Sequence, residues 1–319
     1  MTVGTVYPEN SADRSRWVIA RRGARNEVRS DRAYAQLLER ERMEDGSVAQ
    51  VATIFLTNRE CPWKCVMCDL WRNTAPAPRG SIPLQIERAL GELGAAEARV
   101  LKLYNSGSFF DGGAIPKSDW NAIAGLCRGF DRVVVECHPR LVSEAVLEFR
   151  NLLGAQLEVA MGLETCHPGA LEKINKRITV EDYANAARFL KSNQISVRTF
   201  LLVGTPFIPR EQQARWVNQS IEVAFTAGSN VVSLIPTRAG NGALDELMSE
   251  GEFCEPSMSD LEAAQEFGLR LRASRLFADT WDIERFSDCA SCGEARRDRL
   301  ERINLSQMIE PRVECVCGG

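Results

Sequence analysis

The chain has 319 residues, 45% of them hydrophobic and 26% charged, with a formal net charge of −4. That composition suits a globular protein able to bury a sizeable core in one large domain or two smaller ones. The acidic balance gives no global nucleic-acid signature, and no run of about 18 apolar residues supports a membrane span. Eleven cysteines in a chain whose polar start carries no apolar leader predict reduced thiols and metal ligation in the cytoplasm, not a disulfide framework.

Residues 1–50 are polar, with Arg14, Arg16, Arg21, Arg22, Arg25, Arg29 and Arg32 close together. These arginines fit a solvated, salt-bridged face better than a surface for a polyanion such as tRNA. Asp31 to Glu44 consists of good helix formers and predicts a helix. Val51 to Leu56 predicts the first core strand. A break marked by Pro76, Pro78, Gly80 and Pro83 precedes an amphipathic helix at Leu84–Leu93. Further strands are predicted at Arg99–Tyr104, Asp131–Cys137, Gln156–Met161, Ser196–Val203 and Asn230–Ile235. Helices are predicted between them at 120–130, 143–153, 179–193 and 211–227, with a capping box at Thr179–Asp182. Alternating strands and helices argue for a parallel sheet with helices outside, an α/β layer or partial barrel over 50–240. The remainder reads as helical and then cysteine-rich.

Directly after the first strand come Cys61, Cys65 and Cys68, at C-x3-C-x2-C spacing. Three thiolates on one short loop can converge on one metal centre. Four would close a cubane cluster; three leave one iron open for a substrate or cofactor. A zinc loop is the competing reading, but placement after a strand, early in an alternating β/α chain, favours a cluster. Val66, Met67 and Asp69 read as packing and loop residues.

Ligands of parallel α/β proteins bind at the carboxyl ends of the strands. Here those ends carry Cys61–Cys68, Ser106-Gly107-Ser108, Glu136, His138, Glu164, Gly204 and Arg238. Gly107 can let backbone approach a ligand closely. Glu164 can accept hydrogen bonds from a ribose or a substrate amine, or else pair with Lys176 or Arg177. His138, in a His-Pro pair at a strand end, is a candidate catalytic acid–base, and Glu164 is the second catalytic candidate. Cys137 and Cys166 read as packing residues.

At these residues the sequence resembles the radical S-adenosylmethionine (radical SAM) superfamily. Within it, the segments Asn105-Ser-Gly-Ser-Phe-Phe-Asp111, Gly162-Leu-Glu-Thr165, Asn175-Lys-Arg177 and Leu201-Leu-Val-Gly-Thr-Pro-Phe207 resemble the radical subunit of archaeosine synthase and, more distantly, the Elongator catalytic subunit group. The resemblance covers roughly residues 50–319. It implies a partial (β/α)6 TIM-like barrel with a helical, cysteine-rich C-terminal extension. It implies a [4Fe–4S] cluster on Cys61, Cys65 and Cys68, with S-adenosylmethionine (SAM) chelated at the open iron and cleaved reductively to a 5′-deoxyadenosyl radical. By the same resemblance, Ser106, Gly107 and Ser108 meet the methionine end of SAM. Glu164 and Gly204 belong to the cofactor pocket, and a reductant such as flavodoxin or ferredoxin feeds the cluster.

The chain accordingly divides into an arginine-rich extension (1–50), a core barrel (51–240) and a helical, metal-binding cap (241–319). In the cap, Cys289 and Cys292 face Cys315 and Cys317 across an arginine-rich helical stretch, Glu294–Asn304. Four thiolates on two knuckles suit zinc, with a second [4Fe–4S] cluster as the alternative. The expected activity is a lyase-like radical cleavage of a C–N or C–C bond in a modified, deazapurine-like nucleoside or tRNA. The same chemistry on a small metabolite, or a non-catalytic zinc-holding RNA-binding module, are the alternatives.

Overall fold

A computed structural model describes residues 7–287 and 289–317 of the chain. Among the described residues, eight strands form one sheet in sequence order: β1 (Ala35–Arg42), β2 (Val48–Leu56), β3 (Val100–Asn105), β4 (Arg132–Glu136), β5 (Gln156–Glu164), β6 (Ser196–Val203), β7 (Val231–Pro236) and β8 (Arg275–Ala278). β1 runs antiparallel to β2; every later pair is parallel. The helices are α1 (Ser11–Ala20), α2 (Ser81–Leu93), α3 (Trp120–Leu126), α4 (Glu144–Leu152), α5 (Pro168–Lys173), α6 (Val180–Ser192), α7 (Gln213–Thr226), α8 (Ala243–Ser249), α9 (Met258–Arg270) and α10 (Gly293–Ser306).

The strand sequences alternate between two buried faces. Ile54, Leu101, Leu103, Val133, Val135, Val159 and Leu201 point outward into one apolar layer shared with α2, α3, α4, α6, α7 and α9. The intervening residues point into the concave side. The curl brings the two edge strands near each other. α10 packs on both β1 and β8, and the Arg275 guanidinium donates to the Arg42 carbonyl at 2.9 Å. The fold is thus the expected α/β partial barrel with a helical, cysteine-rich C-terminal extension, enlarged by a strand at each edge.

Two expectations need correction. The segment Asp31–Glu44 is not a helix; most of it is β1. Its glutamates explain why helix propensity loses. Spaced two apart, Glu39 and Glu41 both point inward, where Lys102 Nζ lies 2.9 Å from Glu39 and 2.6 Å from Glu41. Arg198 bridges Glu41 at 2.5 Å and Glu158 at 2.7 Å. These partners lie far along the chain, so local propensity is blind to them. The proline-rich break also ends earlier than expected, since α2 starts at Ser81 and holds Pro83 in its first turn, where no N–H is missed. The capping box at Thr179 and Asp182 is present, with reciprocal bonds of 3.0 and 2.9 Å.

The N-terminal arginines form the salt-bridged face. Arg14 reaches Glu172, Arg21 reaches Glu246, Arg29 reaches Asp31 and Arg32 reaches Glu92. Arg16 pairs with Asp13. Arg22 and Arg25 both bind Glu60, at 2.7 and 2.5 Å, which ties the N-terminal segment to the cysteine loop.

Candidate active site and metal centres

The loop carrying Cys61, Cys65 and Cys68 has little regular structure, and neighbouring segments hold it. Asn58 binds both the N–H and the carbonyl of Ser106 at 3.1 Å, joining the start of the loop to the end of β3. The Val66 N–H donates to the Ile174 carbonyl at 3.0 Å. The Asn175 amide donates to the Lys64 carbonyl at 3.0 Å, and the Asn241 amide to the Val66 carbonyl at 2.8 Å. Asn175 is left-handed, with φ 61°, a conformation that asparagine tolerates better than most residues. Three buried asparagines therefore fix the loop from three directions.

Trp63, within the loop, stacks on His138 with ring centroids 3.7 Å apart and planes 4° from parallel. The His138 Nε2–H donates to the Lys176 carbonyl at 3.0 Å, and its Nδ1 accepts the Arg140 N–H at 3.3 Å. Burial, with the Lys176 charge nearby, holds this imidazole down to about 3. It is therefore neutral, with both ring nitrogens engaged.

Burial pushes the Cys68 thiol up to about 12 and raises Cys61 and Cys65 as well; Cys61 and Cys68 add to the rise at Cys65, and Cys61 to that at Cys68. Such a site disfavours bare thiolates and suits three that are neutralised by bound iron. Gly107 supports that fit. Its φ is +116°, and a Cβ there would stand 3.0 Å from the Cys61 Cβ, so only glycine lets the end of β3 lie against the first cysteine. A cleft of about 450 Å³ lined by Arg59, Glu60, Cys61, Pro62, Lys64 and Asp111 opens beside the loop.

The other sequence-flagged residues lie around the same edge. Ser106 is held through its backbone by Asn58. Ser108 turns inward, its Oγ 3.5 Å from the Cys137 sulfur and accepting the Phe110 N–H at 3.3 Å. Glu164 follows a bulge in β5 and is itself left-handed, φ 67°. Its Oε1 lies 2.5 Å from Lys176 Nζ, the ion pair foreseen as one of its two roles. Burial opposes the Lys176 charge, but Glu164 beside it raises the ammonium's pKa overall. A Cβ on Gly162 would collide with this pair. Gly204 has φ +79°, and a Cβ there would meet Pro256 at 2.6 Å, so its need for glycine arises in packing. Arg238 pairs with Asp279 at 3.1 Å. Glu136, at the end of β4, accepts the Asn105 N–H at 2.8 Å on Oε2; burial lifts its pKa to about 7.

The second cysteine group forms a separate centre. The sulfurs of Cys289, Cys292, Cys315 and Cys317 all lie within 4.8 Å of one another. Cys289 and Cys315 are 3.7 Å apart, Cys292 and Cys317 3.6 Å. The N–H groups of Ser291 and Cys292 hold the Cys289 thiol down to about 6. Cys292 caps α10, which is anchored by Arg296 on Glu262 at 2.6 Å and Arg299 on Glu266 at 2.8 Å. The arginines of this helix are thus partly buried ion-pair partners, with only some facing solvent.

Sequence reasoning missed Trp63, Asn58 and Asn241. Their types are common in loops, and nothing local marks their distant partners. Asn175 belongs to a recognisable motif but carries no expected role, whereas Lys176 is expected as a partner of Glu164 and is found there.

Comparison with known proteins agrees with this geometry. The family model described as the radical SAM superfamily matches residues 55–216. An uncharacterised protein of Methanocaldococcus jannaschii is 25% identical over 86% of this chain and 81% of its own length. The archaeosine synthase subunit beta of Methanosarcina acetivorans is 24% identical over 66% of this chain and 65% of its own. In fold, the archaeal Methanocaldococcus infernus Elp3 superposes with a TM-score of 0.52 at 17% identity, covering 70% of this chain and 59% of that one. With a family model spanning half of its length, and with Cys61, Cys65 and Cys68 on the loop that follows β2, this chain belongs to the radical SAM superfamily.

Proposed function

We propose that this enzyme uses its barrel site to cleave a C–N or C–C bond, in a lyase-like reaction, in a modified, deazapurine-like nucleoside, free or within tRNA. The observation that carries the reading is that Cys61, Cys65 and Cys68 share one short loop, tied in place through Asn58, Asn175 and Asn241, whose first cysteine is pressed against Gly107. The nucleoside substrate is supported by likeness to proteins named archaeosine synthase subunit beta. A [4Fe–4S] cluster with SAM, when bound there, supplies a 5′-deoxyadenosyl radical.

The chain's own residues do the rest. Cys61, Cys65 and Cys68 ligate iron, and burial limits the water that reaches the sulfurs. Ser106, Gly107 and Ser108 offer backbone at the edge where the methionine end of SAM docks. Glu164, oriented by Lys176, receives the ribose hydroxyls or a substrate amine. His138 serves through its ring stack on Trp63, holding the cysteine loop; a direct acid–base role would require it to release one of its two partners. Gly204 shapes the rim by admitting Pro256. The functional division is a core at 51–240 with flanks at 1–50 and 241–319. Eleven free cysteines suit a reducing cytoplasm, where a flavodoxin or ferredoxin supplies electrons. No helix among the described residues is long and apolar enough to cross a membrane.

At the C-terminal centre we infer zinc. Four thiolates on a single ion at a Zn–S distance of about 2.3 Å give tetrahedral edges of roughly 3.8 Å, and the observed pairs at 3.7 and 3.6 Å fit that size. A cubane spreads its four thiolates over four irons and needs a wider set.

The test of the catalytic reading is anaerobic reconstitution with iron and sulfide, followed by dithionite and SAM. Release of 5′-deoxyadenosine by wild type and its loss in Cys65→Ala is the expected result. No product from wild type, or undiminished product from the variant, contradicts it.

A further inference from the structure

The concave face of the sheet holds a second set of residues that the cluster site does not use. Tyr34, Phe55, Tyr104 and Phe200 form a string of rings, with centroids 5.7, 5.8 and 6.0 Å apart in that order. All four are only half-buried, although outward-facing neighbours on the same strands, such as Ile54 and Leu103, are fully buried. The rings thus line open space inside the curl. The register explains the row. Phe55 pairs with Tyr104. Leu103 pairs with Val135, so the next inward positions, Tyr104 and Glu136, are neighbours. Phe200 pairs with Gly162, where the missing side chain leaves room.

Glu136 is the odd member. Its Oε2 accepts one backbone N–H, and among the described residues it makes no direct ion pair, the Lys176 ammonium acting on it only from beyond contact while bound to Glu164, whereas the deeper carboxylates Glu39, Glu41 and Glu158 all have basic partners. A carboxylate has about four acceptor sites; one is filled here. A half-buried carboxylate beside aromatic walls invites donors from a ligand, because an apolar or anionic group placed there would leave it desolvated and unpaired.

We propose that Glu136 is the residue that selects the substrate, accepting paired N–H donors from the edge of a planar ring that lies against Tyr34, Phe55, Tyr104 and Phe200. This deepens the proposed function and rests on it for the identity of the site. Tyr34 precedes β1, so the N-terminal segment contributes a wall of the substrate cavity.

The test is binding of two nucleosides to anaerobically reconstituted holoenzyme, followed by calorimetry or fluorescence quenching. 7-Deazaguanosine carries a ring N–H beside an amino group; 7-deazainosine lacks the amino group. Wild type is expected to prefer 7-deazaguanosine by about tenfold or more, the size of a hydrogen bond to a charged group. Glu136→Gln is expected to erase most of that preference. Tyr104→Leu is expected to weaken both nucleosides about three- to tenfold, at the scale of a lost aromatic contact, while keeping their ratio. Equal affinity of wild type for the two, no binding of either, or an unchanged preference in Glu136→Gln overturns the proposal. Release of 5′-deoxyadenosine by wild type without nucleoside is scored separately. Its absence alongside selective binding refutes the radical chemistry and leaves the assignment of Glu136 standing.

Discussion

The molecule holds two cysteine groups with opposite designs. The first offers three half-buried thiols on one loop that is tied to neighbouring elements through Asn58, Asn175 and Asn241, and burial raises all three thiols. The second offers four thiols on two short knuckles near the surface, close-set in pairs, one of them stabilised as a thiolate by local N–H groups. A three-thiolate site leaves a coordination position for chemistry; a four-thiolate site is closed and its work is structural. The barrel supplies the first with a rigid frame, whereas the second supplies rigidity itself, fixing the start of the helix that packs on both edges of the sheet.

The largest expected effects separate the two centres by mutation. Cys65→Ala should lower SAM cleavage about a hundredfold or more and remove most of the iron, leaving zinc near one per chain. Cys289→Ser should do the reverse, releasing zinc and lowering thermal stability while the barrel thiols still bind iron. If either variant empties both sites, the centres are not independent. Next, Arg299→Leu strips a buried guanidinium from Glu262 and Glu266. Such a loss costs about 3–5 kcal/mol; denaturant unfolding should show it, with iron content unchanged. Gly107→Ala forces a side chain at φ +116° against Cys61 and should cost about 1–3 kcal/mol. That cost should appear as poor iron incorporation at the barrel site with zinc retained. Smallest is Trp63→Leu, which removes the stack on His138, a contact of about 0.5–1.5 kcal/mol. Faster loss of iron to a chelator, without a change in zinc, is the expected readout.

Both cysteine groups were legible in the sequence because their chemistry is local: C-x3-C-x2-C, C-x2-C and C-x-C each set several thiols on one short segment. The six inner strands were legible too, since their apolar runs answer to helices on the outer face. What stayed hidden depends on distant partners. Asp31–Glu44 reads as a helix until Lys102 and Arg198 are seen opposite Glu39 and Glu41. β8 is four residues long, too short to show a period. Asn58, Asn175 and Asn241 look like ordinary turn residues, and their role emerges only when the segments they join are adjacent. Glu136 was noticed at its strand end, but the string of rings beside it comes from four different segments.

The most direct test of two unlike centres in one chain is the metal content of anaerobically reconstituted wild-type protein, by elemental analysis after removal of unbound metal. The expected result is about four irons and one zinc per chain, from one cubane and one tetrahedral ion. About eight irons with no zinc would make the C-terminal group a second cluster, and zinc without iron would remove the basis for radical chemistry in the barrel.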